Sequence, residues 1–181
     1  MKVVGIIPAR YNSSRFKGKA LADICGKPMI QHVYEQAKKA RLLDNLIVAT
    51  DDRRIYNTVI NFGGKAVLTK IHSSGTDRIA EVAEKIQADI IVNIQGDEPL
   101  ISSMMIDSAV SHFKKDKKAV MKKKKKEITS IEESLNSILP ISKTVIVKTG
   151  ATLSNNETEN PICFFTTESS TTYCRTSSIS S

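Results

Sequence analysis

Along the first 113 residues, short β-branched apolar runs alternate with stretches whose apolar residues recur every three or four positions. Residues 3–7, 46–49 and 90–94 are near-continuous apolar runs, the pattern of strands covered on both faces, and residues 66–68 form a shorter fourth. Between them, residues 29–41 place Ile30, Val33, Tyr34 and Ala37 at helical spacing. Residues 52–62 repeat the pattern with Ile55, Val59 and Ile60, and Gly63-Gly64 closes that helix. Gly26-Lys27 suits a turn, and Pro28 the first position of the helix that follows it. Residues 78–86 and 104–113 are predicted to be two more helices. Strand and helix in this rhythm predict an α/β fold, an open parallel sheet with helices on both faces in a Rossmann-like arrangement.

Such sheets bind ligands at the carboxyl ends of their strands. Four polar segments occupy those places: residues 8–19, 50–53, 69–78 and 95–100. After residue 113 the texture changes. Residues 122–126 are five consecutive lysines, a run that repels itself and is normally solvated. Residues 138–149 have some β character, interrupted by Pro140. From Thr166 to Ser181, eleven of sixteen residues are serine or threonine, too few apolar groups to offset the entropy of ordering. Three regions are therefore expected: a nucleotide-binding domain over 1–113, a lysine-rich linker with a partial further region over 114–153, and a disordered tail over 154–181.

The net charge of +8 invites a nucleic-acid reading until its position is considered. Residues 114–126 carry nine lysines and one aspartate, so the basic excess belongs to that tract rather than to the strand-end segments. No apolar run approaches the ~18 residues that span a bilayer. The apolar run at residues 3–7 is too short for a signal-peptide core, and Cys25, Cys163 and Cys174 have neither zinc nor disulfide spacing. A cytoplasmic location is the expectation.

Residues 8–19 put Arg10, Arg15, Lys17 and Lys19 into one loop directly after a buried strand. Guanidinium forks match phosphate oxygens, and Gly18 would let backbone approach a phosphate, whereas the plain alternative is a solvated loop. The Walker pattern is missing. Gln95-Gly96-Asp97-Glu98-Pro99 follows another strand, with Gly96 permitting a sharp turn. Its acids suit Mg²⁺, which shares oxygen ligands with substrate phosphates, or else they cap the next helix. In residues 72–78, Ser74 or Thr76 is a helix cap whose neighbouring amides are open to a base or ribose. Asp51 or Asp52 reads as the cap of the helix after the second strand. From the residues alone, this is a phosphate- and Mg²⁺-binding parallel-sheet domain, using a nucleoside triphosphate.

Five segments in order then carry a resemblance: Ile7-Pro8-Ala9-Arg10-Tyr11 through Gly18-Lys19, Gly26-Lys27-Pro28-Met29-Ile30, Val48-Ala49-Thr50-Asp51-Asp52, Ser74-Gly75-Thr76-Asp77-Arg78 and Asn93-Ile94-Gln95-Gly96-Asp97-Glu98-Pro99. Together they resemble the 3-deoxy-manno-octulosonate (Kdo) cytidylyltransferases, the CMP-Kdo synthetases of lipopolysaccharide biosynthesis. The resemblance implies a nucleotidyltransferase fold. It also implies attack of the Kdo anomeric hydroxyl on the α-phosphorus of CTP, with release of pyrophosphate and Mg²⁺ as cofactor. It assigns Arg10, Arg15 and Lys19 to catalysis through the triphosphate. Arg10, Ser13, Arg15, Lys19, Ser74, Gly75, Thr76, Arg78 and Gln95 would bind the nucleotide, and Asp97 the metal.

The family also implies a homodimer, through a region that is altered here, while the residues themselves point to no membrane insertion and no specific nucleic-acid partner. Two departures stand out. Lys17 replaces a usual proline, and the family's later segments with a Phe-Ser-Arg sequence and a second metal-binding aspartate have no counterpart after residue 113. The expectation is CTP binding with little turnover of Kdo. The alternatives are a catalytically silent nucleotide-binding remnant, or a polyanion binder acting through residues 114–126, a tract with no interleaved aromatic residues for base stacking.

Overall fold

The computed structural model describes residues 1–12, 16–115, 145–149, 162–164 and 173–175 of the 181-residue chain. Its centre is a parallel sheet of β1 (Val3–Ala9), β4 (Asn45–Thr50), β5 (Ala66–Leu68) and β6 (Ile90–Asn93), with β1 between β4 and β6. These are the four apolar runs of the sequence. Three further strands continue the sheet beyond β6: β7 (Val145–Thr149), β8 (Ile162–Phe164) and β9 (Tyr173–Arg175). Each of these pairs antiparallel with the strand before it in the sheet, so the parallel arrangement ends at β6. β8 and β9 fall within the tail expected to be disordered, and the rest of residues 150–181 lies outside the described residues, as do residues 116–144 with most of the lysine tract.

The sheet is covered on both faces. Alternation along the strands sends Val3, Ile7, Val48, Ile90 and Val92 to one side, where α1 (Met29–Ala37), α2 (Arg53–Asn61) and α4 (Ser103–Lys115) bury Ile30, Val33, Ile55, Val59, Ile106 and Val110. The other side receives Val4, Ile6, Ala49 and Ile91 and packs on Ile79, Val82 and Ala83 of α3 (Gly75–Lys85). Burying one such Ile or Val is worth about 1.5–3 kcal/mol. Among the described residues, no helix is long and apolar enough to cross a membrane.

Helix ends follow local chemistry. Asp52, not Asp51, caps α2 by accepting the Arg54 amide at 2.9 Å. Gly63 at φ 79° ends that helix: its amide donates to Ile60 O at 2.9 Å while that of Gly64 donates to Val59 O at 2.8 Å, a Schellman closure. α3 begins three residues before the start predicted from apolar spacing, because Ser74 caps it. The Ser74 hydroxyl accepts the Asp77 amide at 3.0 Å and donates to the Asp77 carboxylate at 2.8 Å. Pro28 stands one residue before α1 and belongs to a small hairpin that the sequence reading missed, β2 (Asp23–Ile24) with β3 (Lys27–Pro28). Its two-residue turn has Cys25 at φ 52° and Gly26 at φ 82°.

Candidate active site

β1 and β6 run side by side as far as the pair Ile6–Asn93, while β1 continues against β4 to Ala9. The chain enters β4 and β5 on one side of β1 and returns to β6 on the other, so β1 and β6 flank the point where strand order reverses. Pro8 lies beyond the last β1–β6 pair, and its missing N–H costs that ladder nothing. A Cβ on Gly96 would sit 2.8 Å from the Pro8 carbonyl oxygen. Only glycine therefore lets the chain leaving β6 pass so close to the end of β1, and close approach rather than turn geometry is the reason for it.

The parting strands open a cavity of roughly 600 Å³. The loop after β1 brings Arg10, Phe16, Lys19 and Ala20 to it, the loop before α3 brings Ser73, Ser74 and Gly75, and the loop after β6 brings Gln95 and Asp97. Arg78 and Met29 reach it from the first turns of α3 and α1. Arg10 is exposed and has no hydrogen-bond or ion-pair partner among the described residues. Lys19 Nζ lies 2.9 Å from Asp97 Oδ2, and both side chains are about half exposed. Asp97 and Glu98 precede α4 by five residues or more, so neither caps that helix.

Other expected residues take different places. Arg78 is 1% exposed; its guanidinium pairs with Asp51 at 3.1 Å and donates to Thr69 Oγ1 at 2.5 Å, so it is the fixed floor of the cavity rather than a free cation. Thr76 is in the first turn of α3 but does not border the cavity. The Ser74 hydroxyl is engaged with Asp77, which leaves the backbone at Gly75, the first residue of α3, as the part of that helix N-terminus beside it on the cavity wall. Gly18 has φ 75°, its amide donates to Tyr11 O at 2.7 Å, and a Cβ there would meet the Tyr11 ring at 3.0 Å. It closes the loop and does not offer that amide to a phosphate. Ser13 and Arg15 lie outside the described residues.

The segment after β4, expected at the ligand edge, contributes no residue to the cavity. Its carboxylates are spent on Arg78 and on the α2 cap. His72 pairs with Glu81 at 2.7 Å, and Lys70 N donates to the same carboxylate at 2.8 Å. Hydrogen bonds from Lys85 and then His72 hold Glu81 down at a pKa of about 2. That network ties the strand-end loop carrying Ser73 to the flank of α3. Phe16, Ala20, Met29 and Ser73 were not singled out from sequence. Met29 shares helical spacing with the core residue Val33, and periodicity cannot separate a wall residue from a core residue.

Among the described residues there is no group of three or more His, Cys, Asp or Glu able to enclose a metal. One exposed carboxylate at the rim of a cation-lined cavity instead fits an ion that keeps its waters and arrives on a polyphosphate.

Known proteins are similar to this chain. The chain is 54% identical to a 3-deoxy-manno-octulosonate cytidylyltransferase of Geotalea uraniireducens over 137 residues, which is 75% of this chain and 55% of that protein. A protein of the same name from Trichlorobacter lovleyi is 60% identical over 114 residues, 62% of this chain and 45% of that one. The solved structure of a CMP:2-keto-3-deoxy-manno-octonic acid synthetase complexed with CTP superposes with a TM-score of 0.63 at 50% identity, covering 64% of this chain and 48% of the other. The chain thus spans about half the length of the curated relatives it matches. With the family described as cytidylyltransferase matching residues 4–165, the chain belongs to the cytidylyltransferase family.

Proposed function

We propose that the cavity binds CTP with Mg²⁺ and serves transfer of the cytidylyl group to Kdo, giving CMP-Kdo and pyrophosphate. The observation that carries this reading is the convergence of Arg10, Lys19, Asp97 and the N-terminus of α3 on one cavity where β1 and β6 part. In the reaction, the anomeric oxygen of Kdo bonds to the α-phosphorus, the bond to the bridging oxygen breaks, and pyrophosphate leaves. The hydroxyl proton passes to solvent. Charge grows on the departing phosphates, and Arg10 and Lys19 would offset it. The backbone at Gly75 and the Gln95 side chain would orient the nucleotide, and Arg78, already committed, keeps the floor rigid.

Mg²⁺ would supply further charge neutralisation on the phosphates, and Asp97 is the residue that would hold it. The Lys19–Asp97 pair suits that role. The two charges satisfy each other without ligand, and a metal triphosphate offers each a partner of opposite sign. The names of the relatives at 54% and 60% identity support Kdo as the acceptor, and the CTP complex of the similar structure supports the nucleotide.

The test is calorimetric titration of the chain with CTP and Mg²⁺, followed by pyrophosphate release on adding Kdo. Arg10→Ala removes a charge-assisted contact and should cost about 1.5–3 kcal/mol of CTP binding. CTP binding without pyrophosphate release would place acceptor recognition outside this chain. No CTP binding, or equal affinity in Arg10→Ala, would overturn the site itself.

A further inference from the structure

Arg10 immediately precedes Tyr11, and Lys19 immediately follows Gly18. The Tyr11–Gly18 contact therefore sets the separation of the two cations. That contact is made of the 2.7 Å hydrogen bond from the Gly18 amide to Tyr11 O and the packing of the Tyr11 ring against the Gly18 backbone. The Tyr11 ring is also covered from α2. Arg54 lays its guanidinium over the Tyr11 ring, with Cζ 3.4 Å from the ring centroid. The guanidinium is itself fixed by a two-pronged pair with Asp52, Nε to Oδ1 at 3.0 Å and Nη2 to Oδ2 at 2.6 Å. The Asp52 amide in turn donates to Oγ1 of Thr50 at 3.1 Å, and Thr50 is the fully buried last residue of β4. A continuous column runs from the sheet through Asp52 and Arg54 to Tyr11 and the neck of the cationic loop.

We infer that Arg54 and Tyr11 are positioning residues that hold Arg10 and Lys19 at the spacing a triphosphate requires, although neither borders the cavity. The inference rests on the proposed CTP site. Several features favour this over an ordinary surface stack. The fork leaves Arg54 little freedom, and its hydrogen bond is the main reason the Asp52 carboxyl stays below its usual range. The loop closed at Tyr11 and Gly18 has a cavity-lining cation directly outside each end of its neck. Gly18, at φ 75°, has no side chain to add to the backbone hydrogen bond at the neck, so any further fixing comes from the ring and what covers it.

The column predicts a selective defect. The affinity for CTP should fall about fivefold in Arg54→Ala and in Tyr11→Leu, while CMP, which has one phosphate and does not span the two cations, binds as in the parent. Tyr11→Phe keeps the ring and should restore CTP affinity. Arg54→Ala with Tyr11→Leu should be no worse than either alone, because both break one column. Hydrogen exchange at the Gly18 amide should quicken in Arg54→Ala with or without nucleotide.

The measurement is calorimetry of the full chain with CTP and with CMP, beside the exchange rate of that amide. Parent-like CTP affinity in Arg54→Ala overturns the inference alone, as does an equal loss for CMP and CTP, which marks a merely structural role. Failure of the parent chain to bind CTP overturns the site and the inference together. Should Tyr11→Leu fail to fold, Arg54→Ala and Tyr11→Phe still decide the matter.

Discussion

Lys19 and Asp97, 78 residues apart in the chain, meet at 2.9 Å across the gap between the loop after β1 and the loop after β6. Each is the other's competitor for ligand. Asp97→Asn removes the anion that a hard cation needs and releases Lys19 from its partner at the same time. The variant should lose the Mg²⁺ dependence of CTP binding and bind metal-free CTP more tightly than the parent does. Titrations with and without Mg²⁺ check both effects. A Mg²⁺ dependence like the parent's would remove Asp97 as the metal-holding residue.

Gly96→Ala attacks the geometry rather than the charge. Its Cβ would meet the Pro8 carbonyl oxygen at 2.8 Å, and a backbone atom at the end of a central strand cannot swing aside. Loop and strand must separate, with a cost of about 1–3 kcal/mol. Urea unfolding should show that loss, and CTP binding in the presence of Mg²⁺ should weaken because the metal-holding Asp97 is shifted out of the cavity. Unchanged stability and affinity would show that the two segments are free to part.

The sheet was legible because runs such as Ile90-Ile91-Val92 are apolar on both faces, and the close of α2 because Gly63-Gly64 has local chemistry that decides its conformation, whereas each helix start was narrowed only to two candidate caps. What stayed hidden depends on partners distant in sequence. Arg78 reads as a phosphate cation until Asp51 and Thr69 are seen to occupy it, and Asp51 and Asp52 are alike in sequence yet serve different partners. Gly18 reads as room for a phosphate, whereas the Tyr11 ring fills that room. The β2–β3 hairpin was hidden for another reason. Its turn places Cys25, a residue with no preference for positive φ, where asparagine or glycine is usual.

That turn makes its own prediction. A left-handed backbone costs an ordinary side chain about 1–2 kcal/mol, and asparagine largely escapes the penalty through local hydrogen bonding. Cys25→Asn should therefore stabilise the chain, raising its melting temperature by a few degrees, without touching the cavity. Thermal melts compare the two. A lower melting temperature would mean that the Cys25 side chain contributes more than its backbone costs.

Glu81 links acidity to stability at the loop that carries Ser73. Hydrogen bonds from Lys85, then His72, with the Lys70 amide adding to them, lower its pKa from the ordinary 4.5 to about 2. A carboxylate depressed on folding stabilises the native state wherever it is ionised in both states. Its contribution is complete above about pH 4.5 and is lost progressively as the pH falls toward 2. Glu81→Gln forfeits that contribution at neutral pH, with an expected cost of about 1 kcal/mol for a partly exposed network. The gap between parent and variant should then narrow below pH 4.5 and be nearly closed by pH 2, because the parent's carboxyl is itself becoming neutral. Denaturant melts of both proteins at a series of pH values read this directly. A gap that stays constant from neutral to acid pH would show that the Glu81 charge contributes nothing and that only the shape of its side chain matters.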